Sequence, residues 1–346
     1  MLTVSSGLHA FRAILRIAYV RMSWRSLLLL LAILNTKSIP LAWHFRLAYH
    51  FIKNLRFRAD RPLILYANDS LDAKERPTHP IFTAASIYSH TGLMETDYNM
   101  HKSNSTYFSD LDISRTALMT RIYSPGLTIV SRELDQELQS ASTGDKPLKK
   151  SSIYIALGSV FCSFKQEIKP YECFEIRTQI AGWDEKWVYT LSYFLRPEKR
   201  KGEGKTLLAI GISKYVVKKG RLTVPPERVF RASGFLPPRP DGFHKHPIVG
   251  KLSEGLSDTS TTGTPTSGEG ITTEDMEDYL AGRVLRVSED QISPPAVLED
   301  QQLKNSKSWN DHEWTWERID QKRRRGLDII EGYIKLDTKL HEEWNN

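Results

Sequence analysis

The sequence predicts an α+β domain in which one long central helix is wrapped by an antiparallel sheet. Three observations point there. A β-rich run, PIFTAASIYSHTGLM from Pro80 to Met94, comes first. A polar turn, ETDYNMHKSNS, then leads into a stretch with helical spacing that reaches about Tyr123. Four further β-rich runs follow in a row, at 152–168, 171–182, 186–196 and 206–218. Alternating βαβ units would place a helix between successive strands. A strand, a helix and then consecutive strands is the α+β order.

Each element has a local reason. In the helical stretch Tyr107, Leu111, Ser114, Leu118 and Ile122 form one apolar stripe with a small residue in its middle. Ser103, Asn104 or Ser105 supplies the N-cap. In the second β-run Tyr171, Cys173, Glu175 and Arg177 alternate with Phe174, Ile176 and Ile180, the period-2 pattern of a sheet with two unlike faces. The connections KPY, GWDEK and RPEKRKGEGK are Pro, Gly and charge clusters that break pairing. The helix is expected to bury its stripe along the concave face of the sheet. Residues 61–67, RPLILYA, fit a strand or a linker. The two cysteines, Cys162 and Cys173, make neither a disulfide framework nor a metal spacing and are expected to be buried thiols in a reducing compartment.

The flanks differ from the centre. The net charge of +7 is unevenly spread. No acidic residue precedes Asp60, while that stretch holds Arg12, Arg16, Arg21, Arg25, Lys37, Arg46, Lys53, Arg56 and Arg58. The excess points to a membrane surface or a targeting signal. Nucleic acid is not expected, because no basic patch interleaved with stacking aromatics occurs in the central region. The run SLLLLLAIL at 26–34 is too short to span about 30 Å of hydrocarbon. It fits a short tilted helix with snorkelling arginines, an amphipathic helix in the interface plane, or a mitochondrial presequence. Pro40 should end or kink that helix. At the other end, 253–275 is poor in apolar residues and rich in Ser, Thr and Gly, and is expected to be disordered. Residues 312–344 place Trp316, Ile319, Leu327, Ile330, Ile334 and Trp344 on a loose amphipathic helical face, interrupted by Arg323, Arg324 and Arg325 as a solvated cluster. That helix suits the domain, a partner or lipid equally. The domain reading is therefore a membrane-associating or targeting segment at 1–59, a folded domain at 60–250, a linker at 251–311 and a C-terminal helix at 312–346.

The segment from Asp97 to Arg115, DYNMHKSNSTYFSDLDISR, resembles the strand-to-helix signature of hotdog-fold thioesterases. It is most similar to the thioesterase-superfamily-member-six type within the 4-hydroxybenzoyl-CoA thioesterase-like group, which also carries an N-terminal membrane segment. Asp97, His101, Asn104, Tyr107, Asp112 and Arg115 fall at the signature's positions. The resemblance covers about residues 80–220. Family members often read His-Met-Asn-Asn where this chain reads His101-Lys102-Ser103-Asn104, which puts oxyanion geometry or substrate choice in question. The resemblance implies a hotdog fold, a homodimer with sites at the subunit interface, and hydrolysis of a fatty acyl thioester, acyl-CoA ahead of acyl-carrier protein. It implies neither a cofactor nor a metal.

The residues themselves are consistent with that chemistry. A helix N-terminus offers unpaired N–H groups and a positive dipole end, here from Ser103, Asn104 and Ser105. Aimed at a thioester carbonyl they would stabilise the oxyanion. Asp97, with Glu95 as substitute, is the candidate nucleophile or general base. His101 would orient Asp97 or the water, and Asn104 the carbonyl. Asp97 and Asn104 also fit ordinary turn and cap roles, His101 a structural histidine, Tyr107 the core, and Arg115 an ion pair with Asp112 or Asp110.

Other motifs are weaker. Gly204-Lys205-Thr206 lacks the first glycine of a phosphate loop, since Lys199 stands there. Gly211-Ile212-Ser213 lacks the second glycine of a nucleophile elbow. His244 and His246 have no third ligand nearby. The basic runs 196–205 and 214–221 are solvated strand ends or contacts for coenzyme A phosphates. The sequons at Asn68 and Asn104 are expected to stay unused in a cytosol-facing domain, and the protein is expected to be associated with an endoplasmic reticulum or mitochondrial membrane and not secreted. The competing function is a non-catalytic acyl-chain binder or structural membrane protein that keeps the fold without the chemistry.

Overall fold

The computed structural model describes residues 23–55, 78–141, 151–198, 200, 204–220, 222–237 and 313–345. Residues 61–67 and 253–275 lie outside it. The strands are β1 (Ala85–His90), β2 (Ile153–Phe164), β3 (Cys173–Trp183), β4 (Trp187–Arg196), β5 (Thr206–Lys219) and β6 (Leu222–Val224). All pairings are antiparallel and form one sheet in the order β1-β3-β4-β5-β2, with β6 paired to β5. The α-helices among the described residues are α1 (Trp24–Leu34), α2 (Ala42–Asn54), α3 (Thr106–Ala141), α4 (Pro226–Ala232), α5 (Trp316–Ile329) and α6 (Glu331–Asn345). The four consecutive β-runs of the sequence are β2 to β5, within a few residues at each end.

Helix α3 is the central helix. Its stripe of Tyr107, Leu111, Leu118 and Ile122 is buried against one face of the sheet with Phe174, Ile176, Ile180 and Phe194. Each such side chain contributes about 1.5–3 kcal/mol. Ser114 is the small residue in that stripe for a reason: its hydroxyl is 2.6 Å from Thr178 Oγ1, which is 2.8 Å from Ser192 Oγ. A hydroxyl chain thus satisfies these groups inside the core, where an orphan would cost about 1–3 kcal/mol.

The helix runs 36 residues, well past the expected end near Tyr123. It continues through Ser124-Pro125-Gly126, a sequence that normally stops a helix. Packing against α4 overrides that propensity. A Cβ on Gly126 would collide with Ser233 Oγ and the Val229 carbonyl, and its N–H donates to Ser233 Oγ at 3.1 Å.

The N-terminal segment docks on the domain from Asn35 onward. Asn35 Oδ1 accepts from the Met94 N–H at 3.0 Å, and α2 lies alongside α3 with Trp43 Nε1 donating to the Ser109 carbonyl at 3.3 Å. Helix α1 stops at Leu34, before Pro40 is reached: Asn35 donates its side-chain N–H to the Leu31 carbonyl at 2.9 Å, and a 3₁₀ turn at Thr36–Ser38 leads toward α2. No helix among the described residues is long and apolar enough to cross a membrane.

The C-terminal helices take the domain among the three hosts that the sequence left open. They lie on the outer face of the sheet, where Leu327 and Ile330 pack with Ala181, Tyr189 and Leu191. A Cβ on Gly326 would strike the Ala181 carbonyl, so glycine alone permits this approach. Arg323 is not solvated as expected: Nη1 donates to the Trp183 carbonyl at 2.8 Å and the guanidinium grips Asp320. The cysteines also depart from expectation. Cys173 is exposed and Cys162 half-buried, because both sit at outward or edge positions of strands; neither is disulfide-bonded.

Candidate active site

The segment between β1 and α3 folds back on itself. Thr96 bridges Lys102, the Asp97 N–H donates to the His101 carbonyl at 2.9 Å, and Met100 takes a left-handed conformation with φ of 60° at the tip. This turn sends neighbouring residues in opposite directions. Asp97 and His101 point outward and are half-buried, while Glu95 and Lys102 point inward and are buried.

The outward pair is assembled as the sequence predicts. Asp97 Oδ2 lies 3.4 Å from His101 Nδ1, and Asp97 Oδ1 accepts the Asn99 N–H at 2.9 Å, which fixes its rotamer. Asn104 is exposed and makes no hydrogen bond to either. Of the three expected oxyanion donors, the Ser103 N–H is already committed to the Glu95 carbonyl at 2.8 Å. Those of Asn104 and Ser105, just ahead of α3, make no backbone hydrogen bond within the described residues. Ser103 instead receives the Thr106 N–H and hydroxyl on its carbonyl, as a cap.

The inward residues form a cluster that the sequence did not reveal. Asp110 is fully buried and meets three cations: Lys37 Nζ at 2.8 Å, Lys102 Nζ at 2.9 Å and Arg46 Nη2 at 3.1 Å. Lys37 also reaches Glu95 Oε2 and the His90 carbonyl, each at 2.8 Å, and Lys102 lies 3.6 Å from Glu95. Ser89 Oγ donates to Asp110 at 3.1 Å, and Glu95 accepts the Gly92 N–H at 2.9 Å. Burial alone would push the Asp110 carboxyl up, but Lys102, Lys37 and Arg46 together hold it down at about 2. For Lys37 burial dominates and lowers its pKa, against the attraction of Asp110. Glu95 is therefore part of a buried ion cluster, not an open substitute for Asp97. Asp110 pairs with these cations, whereas Arg115 pairs with Asp112 and donates to Ser213 Oγ at 2.8 Å. The sequence held one signal: Asp110 stands beside Leu111 on the buried stripe, where a lone carboxylate demands partners.

Lys102, one of the two residues that depart from the family signature, sends its ammonium into this cluster, between Asp110 and the rings of Tyr107 and Phe174. It does not enter the outward-facing turn.

A cavity of about 680 Å³ opens beside the middle of α3. Phe51 and Leu55 of the N-terminal segment form one wall, Met119, Tyr123 and Leu127 a second, and Ile153 and Ile155 of β2 a third. Ligand sites commonly have this size and this apolar character. The basic strand ends are largely engaged within the protein: Arg196 with Glu172, Lys205 with Glu175, Lys214 with Asp337 and Lys219 with Asp135.

Comparison with known proteins gives these observations a family. Residues 91–232 match the family described as the thioesterase-like superfamily. Thioesterase lcsJ of Purpureocillium lilacinum is 32% identical over 94% of this chain and 94% of its own length. The probable thioesterase atnL of Emericella nidulans is 36% identical over 59% of this chain and 69% of its own. Among solved structures, a 1,4-dihydroxy-2-naphthoyl-CoA thioesterase from Synechocystis aligns with 43% of this chain and 93% of its own at 10% identity, with a TM-score of 0.32. With the α3 signature, the antiparallel sheet and a relative matched along nearly the whole chain, this protein belongs to the thioesterase-like hotdog superfamily.

Proposed function

We propose that this protein hydrolyses fatty acyl thioesters, acyl-CoA ahead of acyl-carrier protein. The observation that carries the reading is the Asp97–His101 pair, held at 3.4 Å on the turn that leads directly into the α3 N-terminus. Asp97 takes a proton from an attacking water. The N–H groups of Asn104 and Ser105, with the helix dipole, stabilise the carbonyl oxygen as it gains charge. The carbon–sulfur bond then breaks, and the thiol leaves with a proton while the acid is released. His101 fixes Asp97. Asn104 contributes its N–H here in place of a side-chain contact, since the side chain is exposed. The cavity along α3 suits an acyl chain, because its lining is chiefly apolar.

The acting unit is a homodimer. β2 is an edge strand paired on one side alone, it is 12 residues long, and it carries no charged residue. Such an edge is normally covered, and a second copy completes it. Membrane association is assigned to α1, whose Leu27 to Leu31, Ile33 and Leu34 are exposed, as an interfacial helix would be at an endoplasmic reticulum or mitochondrial surface. The test is thiol release from a series of acyl-CoA esters by the full-length protein. Turnover that rises with chain length and saturates supports the reading. Saturable acyl-CoA binding without thiol release at any chain length would replace it with the acyl-chain binder.

A further inference from the structure

We infer that the cavity beside α3 takes an acyl chain bearing a neutral oxygen, a hydroxyl or a ketone, far from its thioester; the inference deepens the thioesterase reading above and rests on it. Two ridges of α3 line the cavity. Met119, Tyr123 and Leu127 form one, and Thr116, Thr120 and Thr128 stand beside them. Steps of four and three residues place Thr116, Thr120 and Tyr123 in one row on the helix surface. A threonine inside a helix can turn its hydroxyl back onto a carbonyl of the preceding turn. Thr338 does so in this chain, donating to the Ile334 carbonyl at 3.1 Å. Thr116 and Thr120 do not: neither hydroxyl makes a hydrogen bond among the described residues. Tyr123 is fully buried, and its phenol oxygen likewise has no partner there. Burial pushes the phenol's pKa up, so it stays protonated and able to donate.

The sheet side of the same helix sets the contrast. There Ser114 is paired with Thr178, 2.6 Å away. The hydroxyl against the sheet is met by the protein, while the row at the cavity is left for what the cavity holds. A plain hydrocarbon chain cannot meet that row and would leave its donors unpaired. A ketone accepts from two donors, and a hydroxyl both accepts and donates, so either suits three neighbouring hydroxyls. An ionised group fits less well. The Arg115 guanidinium on the lining is already engaged by Asp112 and Ser213, and Arg132 is exposed to solvent three turns beyond Thr120. Position follows from the mechanism proposed above, which holds the thioester at the N–H groups of Asn104 and Ser105. A helix advances about 1.5 Å per residue, so the row from Thr116 to Tyr123 lies roughly 17–27 Å along α3 from Ser105. The oxygen therefore belongs toward the far end of a long chain.

The test compares palmitoyl-CoA, ω-hydroxypalmitoyl-CoA and β-hydroxypalmitoyl-CoA as substrates of the full-length protein, and measures binding of free palmitate and ω-hydroxypalmitate by calorimetry. The Thr116→Val/Thr120→Val double variant and Tyr123→Phe are run beside wild type, with thermal unfolding to check the fold. A cavity that only shelters hydrocarbon favours palmitoyl-CoA, whose tail is the more apolar. The expected result is the reverse: a kcat/KM at least about tenfold higher for the ω-hydroxy ester, no such gain for the β-hydroxy ester, and a ratio that falls to one or below in both variants. Unfolding midpoints should match wild type, because the deleted hydroxyls bond to nothing in the protein. An ω-hydroxy ester hydrolysed no better than palmitoyl-CoA overturns the inference and leaves the thioesterase standing. So does a preference that survives in both variants. If no ester is hydrolysed, the thioesterase reading fails and the free acids decide. Binding of ω-hydroxypalmitate about tenfold tighter than palmitate, lost in the variants, then upholds the oxygen-binding cavity, and equal binding overturns it.

Discussion

Two pairs of charged residues on one turn meet opposite fates. Asp97 and His101 face outward, are half-buried and touch mainly each other. Glu95 and Lys102, their near neighbours in the chain, face inward and join Lys37, Arg46 and Asp110 in a buried cluster of three cations and two carboxylates. An exposed pair contributes little to stability, about 0–1 kcal/mol, but remains open to a substrate. A buried cluster is shut off from substrate, and its members depend on each other because an uncompensated charge in the interior is expensive. The difference teaches a division of labour: the inner charges fix the turn and the outer ones are free to react.

Substitutions sharpen that contrast. Asp110→Asn should have the largest effect on stability, about 3–5 kcal/mol by denaturant unfolding, since it leaves the buried Lys37 and Lys102 and the half-buried Arg46 against one carboxylate. Lys37→Met should cost clearly less, because the remaining two cations balance two carboxylates. Equal losses would break the account of the cluster. Gly326→Ala should cost about 1–3 kcal/mol by lifting α5 from β3, while hydrolysis in the folded fraction is retained, because that face is remote from Asp97.

Acid gives a third comparison. The folded pKa of Asp110, about 2, lies below the usual carboxylate value near 3.9. Its stabilisation is therefore fully present above about pH 4 and disappears as pH falls toward 2, an effect on the order of 2 kcal/mol. The stability gap between wild type and Asp110→Asn should narrow over that window and stay constant above it. The smallest expected effect on stability is that of His101→Ala, within about 0.5 kcal/mol. Its turnover should nevertheless fall by about 10–100-fold, read as kcat with KM little changed.

These contrasts also explain what the sequence disclosed. The α3 stripe, the four consecutive strands and the Asp97–His101–Asn104 spacing are local patterns, with every partner within a few residues. The family signature marks Asp97 for the same reason. The buried cluster joins residues 58 and 73 positions apart, Lys37 to Glu95 and to Asp110, and no periodicity connects them. Lys37 accordingly reads as one more base in a basic leader, when it is a structural member of the domain. The docking of α5 was hidden in part by the three consecutive arginines, which look solvated until Arg323 finds the Trp183 carbonyl. A signal did exist in β4: WVYTLSYFL is apolar at both parities, the mark of a strand covered on both faces. Helix α3 was read too short because Pro125 and Gly126 are strong local stop signals, and the packing on α4 that overrides them comes from residues a hundred positions away.

The most direct test of the account is a side-by-side measurement of acyl-CoA hydrolysis and unfolding for full-length wild type and Asp97→Asn. Asp97→Asn should lose about 10²–10⁴-fold in kcat, with an unfolding midpoint indistinguishable from wild type, because Asp97 lies outside the buried cluster. Retained turnover in Asp97→Asn, or a loss of activity that merely follows a loss of folded protein, would contradict it.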